Sequence, residues 1–357
     1  MNMNTLTKYL LEKYLKNFII VLVSLEIFFV GIDYLQNFKN IPASANLQLL
    51  YILYNGFFTL TLALPLSIIF AWVVTLVIFV KNNEFVAFNA LGASRRDILF
   101  PILFSALTLI FTLIALQTTP LAYSYDQKKK ILDNEYFSST KSDIFLKYDG
   151  YFVYFKKLLP LEQIAEDVHV FKIKDEQLVE TLIAKTAKFK DNKWEIYDVK
   201  VIKKPEVIDV KDSKLDITYA DTLTILDGFK PKILDNVYEN KSEYSLFDAI
   251  SALILLNKQD VNTQKIRSII YNQIFIPFFI FPIILLIYAY TSLNSRFFNL
   301  GKFISFSVFG TLIIWGLFFM LYKLTNSGTI VPELAILLPL IIWFVVSIYF
   351  YFKKLRA

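Results

Sequence analysis

Two carboxylates, Glu26 and Asp33, stand inside the first strongly apolar stretch of this 357-residue chain. Their spacing of seven puts both on one face of a helix. An ionised side chain at mid-bilayer depth costs at least about 2.5 kcal/mol, so such a residue ordinarily has a task or a partner. Three readings are open. The acids could be the proton-transferring pair of an intramembrane enzyme; their shared face could line a hydrated cavity; or Asp33 lies hydrated at the outer interface while Glu26 faces a neighbouring helix. Placement weakens the enzyme reading, because both acids belong to one helix and no other apolar segment offers a histidine, an aspartate or a nucleophile motif. Lys39, six residues after Asp33, is the nearest cation in sequence.

Other reactive residue types are sparse. Lys128-Lys129-Lys130 could meet phosphate groups, since lysine is an effective point-charge partner for phosphate, or could simply be a solvated face. The single histidine, His169, sits in an alternating strand pattern without an acid at metal-ligand spacing, which argues against a metal or catalytic role. With no cysteine, disulfides, thiolate metal sites and cysteine nucleophiles are excluded. Gly301-Lys302 lacks both the upstream glycine and the following Ser/Thr of a phosphate-cradling loop, so nucleotide hydrolysis is not expected on this chain.

The most specific short segment is Lys81 to Asp97. Phe85, Phe88 and Leu91 recur at i, i+3 and i+6, which predicts a short helix that buries one face and leaves Glu84 free. Gly92 can end that helix in a left-handed conformation, and Ser94 with Asp97 resembles a capping box opening the next one. Such an element is either an interfacial helix or a coupling helix docked in the groove of a partner ATPase.

The elements that must position these residues follow from charge. No charged residue interrupts Asn40–Val80, Ile98–Tyr125, Ser268–Ser295, Phe303–Tyr322 or Leu334–Phe352, and a shorter apolar run from Asn17 precedes Glu26. About 20 apolar residues cross a bilayer, so six membrane helices are predicted, near 17–38, 48–80, 97–122, 268–291, 301–324 and 332–352. The second is long enough to tilt, or to bend at Pro65. Between them, residues 126–267 carry 24 basic and 25 acidic groups, so the net charge of +6 comes from the membrane part. That surplus reports topology and not nucleic-acid binding: with the N-terminus in the cytoplasm, nearly all short-loop Lys and Arg fall on that side. Both termini are then cytoplasmic, the first span is uncleaved, and the central block lies outside.

That block reads as β. Ile144–Tyr148 and Tyr151–Phe155 flank Asp149-Gly150, a two-residue hairpin signal. Thr181–Phe189 and Trp194–Ile202 flank Lys190–Lys193, and Val168–Lys174 and Lys214–Ile225 also alternate. An antiparallel sandwich or jelly roll is expected. Alternation would turn Phe145, Phe152, Val170, Ile183 and Ile217 inward, ordinarily as core; in a lipid carrier the same interior could be a slot for acyl chains. From Ser245, Leu246, Ile250, Leu253 and Ile254 return to helical spacing.

Glu84-Phe-Val-Ala87 followed by Ala90-Leu-Gly-Ala-Ser94 resembles the loop of the lipopolysaccharide-export permeases (LptF/LptG, the YjgP/YjgQ family). The resemblance spans the chain: the 3 + 3 helix layout around a β domain, Ile183-Ala184 with Trp194-Glu-Ile-Tyr-Asp198, Ser245-Leu-Phe-Asp248, and Gly328-Thr-Ile-Val-Pro-Glu-Leu-Ala335. The Gly-x-x-x-Pro approach to the last span looks more like LptG. The fold implied is a six-span polytopic membrane protein with an inserted periplasmic jelly-roll-like domain, divided at 1–125, 126–244 and 245–357, with the coupling helix near 82–94.

By that resemblance the chain is a non-enzymatic permease subunit of an ABC-type exporter in a bacterial inner membrane. Its partners would be a cytoplasmic ATPase dimer, a paralogous permease, a periplasmic bridge protein with a single membrane helix, and lipopolysaccharide. No cofactor would sit on this chain, ATP and magnesium belonging to the ATPase. Glu84, Phe85, Phe88, Leu91 and Gly92 would form the coupling element, with Glu84 meeting a basic residue of the ATPase. Helices one and five would form a lateral gate, with Glu26, Asp33, Lys39 and Lys128–Lys130 as candidate lipid contacts, and the resemblance favours the acyl-chain slot as the reading of the β interior. Asp33 matches an acidic position of LptG-like first helices, although the lysines that flank it there are missing. The rivals are the intramembrane enzyme above and a membrane sensor or scaffold.

Overall fold

The computed structural model describes residues 3–134, 141–148, 151–159, 162–174, 177–204, 215–227, 244–257, 262–291 and 298–356. The Asp149-Gly150 turn lies outside them. The chain divides into a helical unit (1–132, 245–247 and 264–357) and a second unit (133–244 and 248–263).

The helical unit contains α1 (Met3–Asn37), α2 (Ala45–Lys81), α3 (Glu84–Ala90), α4 (Arg95–Gln117) and, after a 3-10 turn, α5 (Ser124–Leu132). The bridging helix α6 (Leu246–Asn257) follows the β strands. Then come α7 (Gln264–Ile274), α8 (Ile280–Tyr290), α9 (Leu300–Asn326) and α10 (Leu338–Arg356), the last preceded by a π turn at Glu333–Leu337. Among the described residues five helices are long and apolar enough to cross a membrane, and α7 with α8 supplies a sixth span bent by 44°. The bend replaces the single helix expected over 268–291. Pro277 opens a 3-10 turn there and cannot donate a helical hydrogen bond. By contrast α2 runs through Pro65 as one 37-residue helix.

α1 begins far earlier than position 17. The polar N-terminal stretch hides a stripe, Leu6, Leu10, Tyr14 and Phe18, whose four-residue spacing lays one buried edge along the helix. Tyr14 meets Trp72 edge-on at 6.4 Å, and Trp72 meets Tyr288 at 5.8 Å. These rings join α1, α2 and α8 around α2, the most buried span. In α6 the buried side is Leu246, Ala249, Ala252 and Leu256, while Ile250 and Ile254 of the expected stripe are exposed.

The second unit is built on one antiparallel sheet: β1 (Lys141–Tyr148), β2 (Tyr151–Leu159), β3 (Ile164–Lys174), β4 (Gln177–Lys190), β5 (Lys193–Lys203) and β6 (Asp216–Ile225), paired in chain order. The β4–β5 turn has Asp191 and Asn192 at φ +50° and +65°, the two positive angles a type I′ hairpin requires. Val153, Phe155, Val168, Val170, Ala184 and Trp194 are buried, with the rings of Phe155 and Trp194 5.2 Å apart.

One line crosses the sheet where pairing lapses without a change of register. Asp143, Lys156, Asp167, Lys185 and Asp198 face one another across five strands, and none joins the ladder. The three aspartates are left-handed, at φ +59°, +56° and +52°, a conformation that short polar side chains tolerate. Across this crease the inward parity shifts: Phe155 then Leu158 in β2, Ala165 then Val168 in β3, Ala184 then Ala187 in β4, Ile196 then Val199 in β5. Of the five side chains expected inside, only Val170 is fully buried. Phe145 and Ile217 are 51% and 45% exposed, and Phe152 and Ile183 are half-buried. Phe145 and Phe152 stack on each other at 5.6 Å. Cross-strand partners share a face, so the register Phe145–Tyr154–His169–Ile183 puts them opposite the buried row.

Candidate functional site

Residues 81–97 form a closely capped corner. Asn83, at φ +58°, turns the chain out of α2 into α3. Phe85 and Phe88 are buried and pack edge-on against Phe79 at 5.8 and 5.5 Å, and Phe85 lies 6.5 Å from Tyr288. α3 ends at Gly92, φ +79°: the Gly92 N–H donates to Asn89 O and the Ala93 N–H to Phe88 O, both at 3.0 Å, which is the Schellman arrangement. Ser94 and Asp97 complete the expected capping box, the Ser94 N–H reaching Asp97 Oδ2 at 2.8 Å.

Two details differ from the expectation. Phe85 and Phe88 face inward, but Leu91 is 57% exposed and joins Val86, at 55%, on the outward side. Glu84 is not free either, since Oε2 accepts from the Tyr9 hydroxyl at 2.9 Å and Oε1 from Asn82 Nδ2 at 3.2 Å. The length of α1 explains this. An N-terminal helical turn that composition alone marked as polar reaches the corner.

Further along, α1 and α2 are joined by a polar seam. Asn17 Nδ2 donates to Thr75 Oγ1 at 2.9 Å, and the Thr59 hydroxyl donates to Glu26 Oε2 at 2.6 Å while Glu26 Oε1 is buried without a hydrogen-bond partner. Asp33 accepts from the Tyr51 hydroxyl and from Lys128 Nζ, the latter at 2.7 Å. Lys128 also donates to Asn55 Oδ1 at 3.1 Å, and its ammonium lies 5.4–5.8 Å from the ring centres of Phe58, Tyr125 and Tyr51. Only 5% of Lys128 is exposed. The cation for Asp33 is therefore Lys128 of α5 and not Lys39, which is exposed. Glu26 and Asp33 have separate hydrogen-bond partners on α2, Thr59 and Tyr51. Lys129 is exposed and Lys130 half-buried, so the lysine run is not one solvated face.

A second buried-edge cluster had no sequence signal beyond its charges. Arg267 of α7 donates to Glu333 Oε1 at 2.5 Å, Tyr271 donates to the same oxygen at 3.0 Å, and Ser268 shares a 2.5 Å hydrogen bond with Thr325 of α9. The bent span is thereby pinned to the start of the last one. Periodicity could not pair Arg267 with Glu333, which lie 66 residues apart in sequence.

In the β unit a cleft of about 520 Å³ is lined by Val153, Val170, Leu182, Val201 and Leu223, with Glu180, Lys193, Lys203 and Asp227 also in its lining. His169 Nε2 lies 3.1 Å from Asp167 Oδ1. Among the described residues no three His, Cys, Asp or Glu side chains are grouped to hold a metal.

Among the described residues, five apolar helices with one bent pair, and an antiparallel six-stranded sheet inserted between them, define a multi-pass membrane protein with an inserted β domain. Over residues 8–353 the chain matches the sequence model of the lipopolysaccharide export system permease LptF/LptG, and it belongs to that family. No curated protein matches it. The family places the chain among inner-membrane transport subunits of the lipopolysaccharide export system, not among enzymes.

Proposed function

We propose that this chain is one permease half of an ABC-type lipopolysaccharide exporter, on the LptG side by its Gly328-x-x-x-Pro332 approach to α10. Family membership over nearly the whole length is the observation that carries this reading. Both termini and the α3 corner face the cytoplasm, and the β unit lies in the periplasm. A separate ATPase dimer binds ATP and magnesium, and this chain holds no cofactor. The Val86–Leu91 side of α3 seats in the ATPase groove, where Glu84 meets a basic side chain.

The spans differ sharply in how well the chain itself covers them. In the most apolar segment of α1 only 6% is buried, and in α9 17%, against 78% in α2. Ile19, Ile20, Val23, Ile27 and Phe28 of α1 are all exposed. This fits α1 and α9, the first and fifth spans, forming the lateral gate against a paralogous permease. ATP-driven closure pushes on α3, narrows the cavity between subunits and expels lipid into the β cleft, from which a bridge protein with one membrane helix receives it. Exposed Lys39 and Lys129 remain candidates for lipid phosphates. Lys128 and Asp33 satisfy each other and shape the gate helix instead.

Mass spectrometry of the intact detergent-extracted complex tests this. An ATPase dimer, a second permease and bound lipopolysaccharide are expected. Recovery of this chain as a homodimer without ATPase or lipid would sink the reading.

A further inference from the structure

Glu84 is within reach of a partner, yet both of its oxygens are already engaged inside the chain. Asn82 is a neighbour in the same loop, whereas Tyr9 comes from 75 residues away on α1. The Tyr9 ring is gripped as well, stacking on Phe79 at 6.4 Å and 21° and meeting Phe88 edge-on at 6.4 Å. Lys13 Nζ lies 5.5 Å from its centre. The hydroxyl thus holds the first residue of α3, while the ring wedges between α2 and α3. From Tyr9, α1 continues without a break to Asn37. In its most apolar segment it is also the span least covered by the rest of the chain.

We propose that Tyr9 is the positioning residue of the coupling corner: its hydroxyl orients the Glu84 carboxylate toward a cationic side chain of the ATPase, and its ring makes α1 follow α3. This rests on the ATPase-driven reading above. An ionised carboxylate offers about four acceptor positions, so two remain after Tyr9 and Asn82 for an arginine or lysine. A neutral hydroxyl suits the task because it fixes the rotamer without cancelling the charge that the partner must find. A lysine at position 9 would do the opposite. The ring supplies a path that bypasses the backbone: a push on Phe88 reaches α1 through one aromatic contact and travels along a single helix toward Asp33.

The test uses the full complex with its ATPase. Tyr9→Phe keeps the wedge and removes only the hydroxyl. It is expected to weaken ATPase association roughly 3- to 10-fold, as the ordering of one freed carboxylate side chain on binding would, with only a small drop in unfolding temperature. In the Glu84→Gln background, Tyr9→Phe should cost nothing further, because the two changes act through one interaction. Unchanged affinity, or additive losses, overturns the positioning role. For transmission, the absence of cysteine allows a single spin label at exposed Ile20. Trapping a nucleotide analogue should shift this label in the parent chain and not in Tyr9→Ala; equal shifts in both overturn the coupling of α1 to α3. If the parent chain binds no ATPase, the functional reading fails and the proposal falls with it.

Discussion

Lys128 closes a 2.7 Å ion pair on Asp33 across 95 residues of sequence, and both partners are largely withdrawn from water. Removing one member of such a pair strands the other charge. Lys128→Met should destabilise the helical unit by about 3–5 kcal/mol, whereas Lys128→Met combined with Asp33→Leu should recover much of that loss. Thermal unfolding in detergent reads both. Equal damage by the single and double variants would mean that the lysine acts through its ring contacts alone.

The two sides of α3 should separate in mutagenesis. Phe88→Ala empties a buried site and should cost about 3–5 kcal/mol of stability. Val86→Asp and Leu91→Asp, on the exposed side, should leave the unfolding temperature alone and abolish ATPase co-purification. Charge reversal at Glu84 should likewise reduce association; normal co-purification and lipid release by Glu84→Arg would refute the coupling role.

Gly92→Ala tests the corner itself. Open space surrounds the position, so no clash opposes a methyl group there, but φ +79° does. The expected cost is about 1–2 kcal/mol, felt as faster hydrogen exchange at the Gly92 and Ala93 amides and weaker ATPase binding.

The β unit should respond to acid at a known place. Lys156 first, and His169 second, hold the Asp167 carboxyl below its ordinary value of 3.8. A lowered folded-state pKa means that the stabilisation is present above the unfolded value and lost as pH falls through the folded one. Hydrogen exchange in β2 and β3 should therefore rise below about pH 4, and Asp167→Asn should flatten that rise. An identical acid profile in the variant would assign the effect to other carboxylates.

Much of this architecture was legible because single residues specify it. Gly92, Ser94 and Asp97 announced their corner, and charge gaps located the spans. What escaped depends on where distant segments meet. The Leu6–Phe18 stripe is diluted by Lys8, Glu12, Lys13 and Lys16, so composition reads it as a polar tail. Nothing near Asp33 points to Lys128, and nothing near Glu84 points to Tyr9. Phe145 and Phe152 alternate correctly for an inward face, but the starting face of an alternation is arbitrary until a neighbouring strand fixes it. In α6 two of the four buried positions, Ala249 and Ala252, are alanines, which a search for large apolar residues passes over.

The crease through Asp143, Lys156, Asp167, Lys185 and Asp198 has one more consequence. Because register carries across it unchanged, the strands share a common count measured from that line, interrupted in β3 and β4 at Lys172/Ile173 beside their hairpin tip. Deleting a single residue on one side, say from β4, would throw its remaining half out of phase with β3 and β5 at once. Change in strand length is therefore confined to the far ends, at the hairpin tips, where such a domain can be lengthened or shortened without re-indexing its interior.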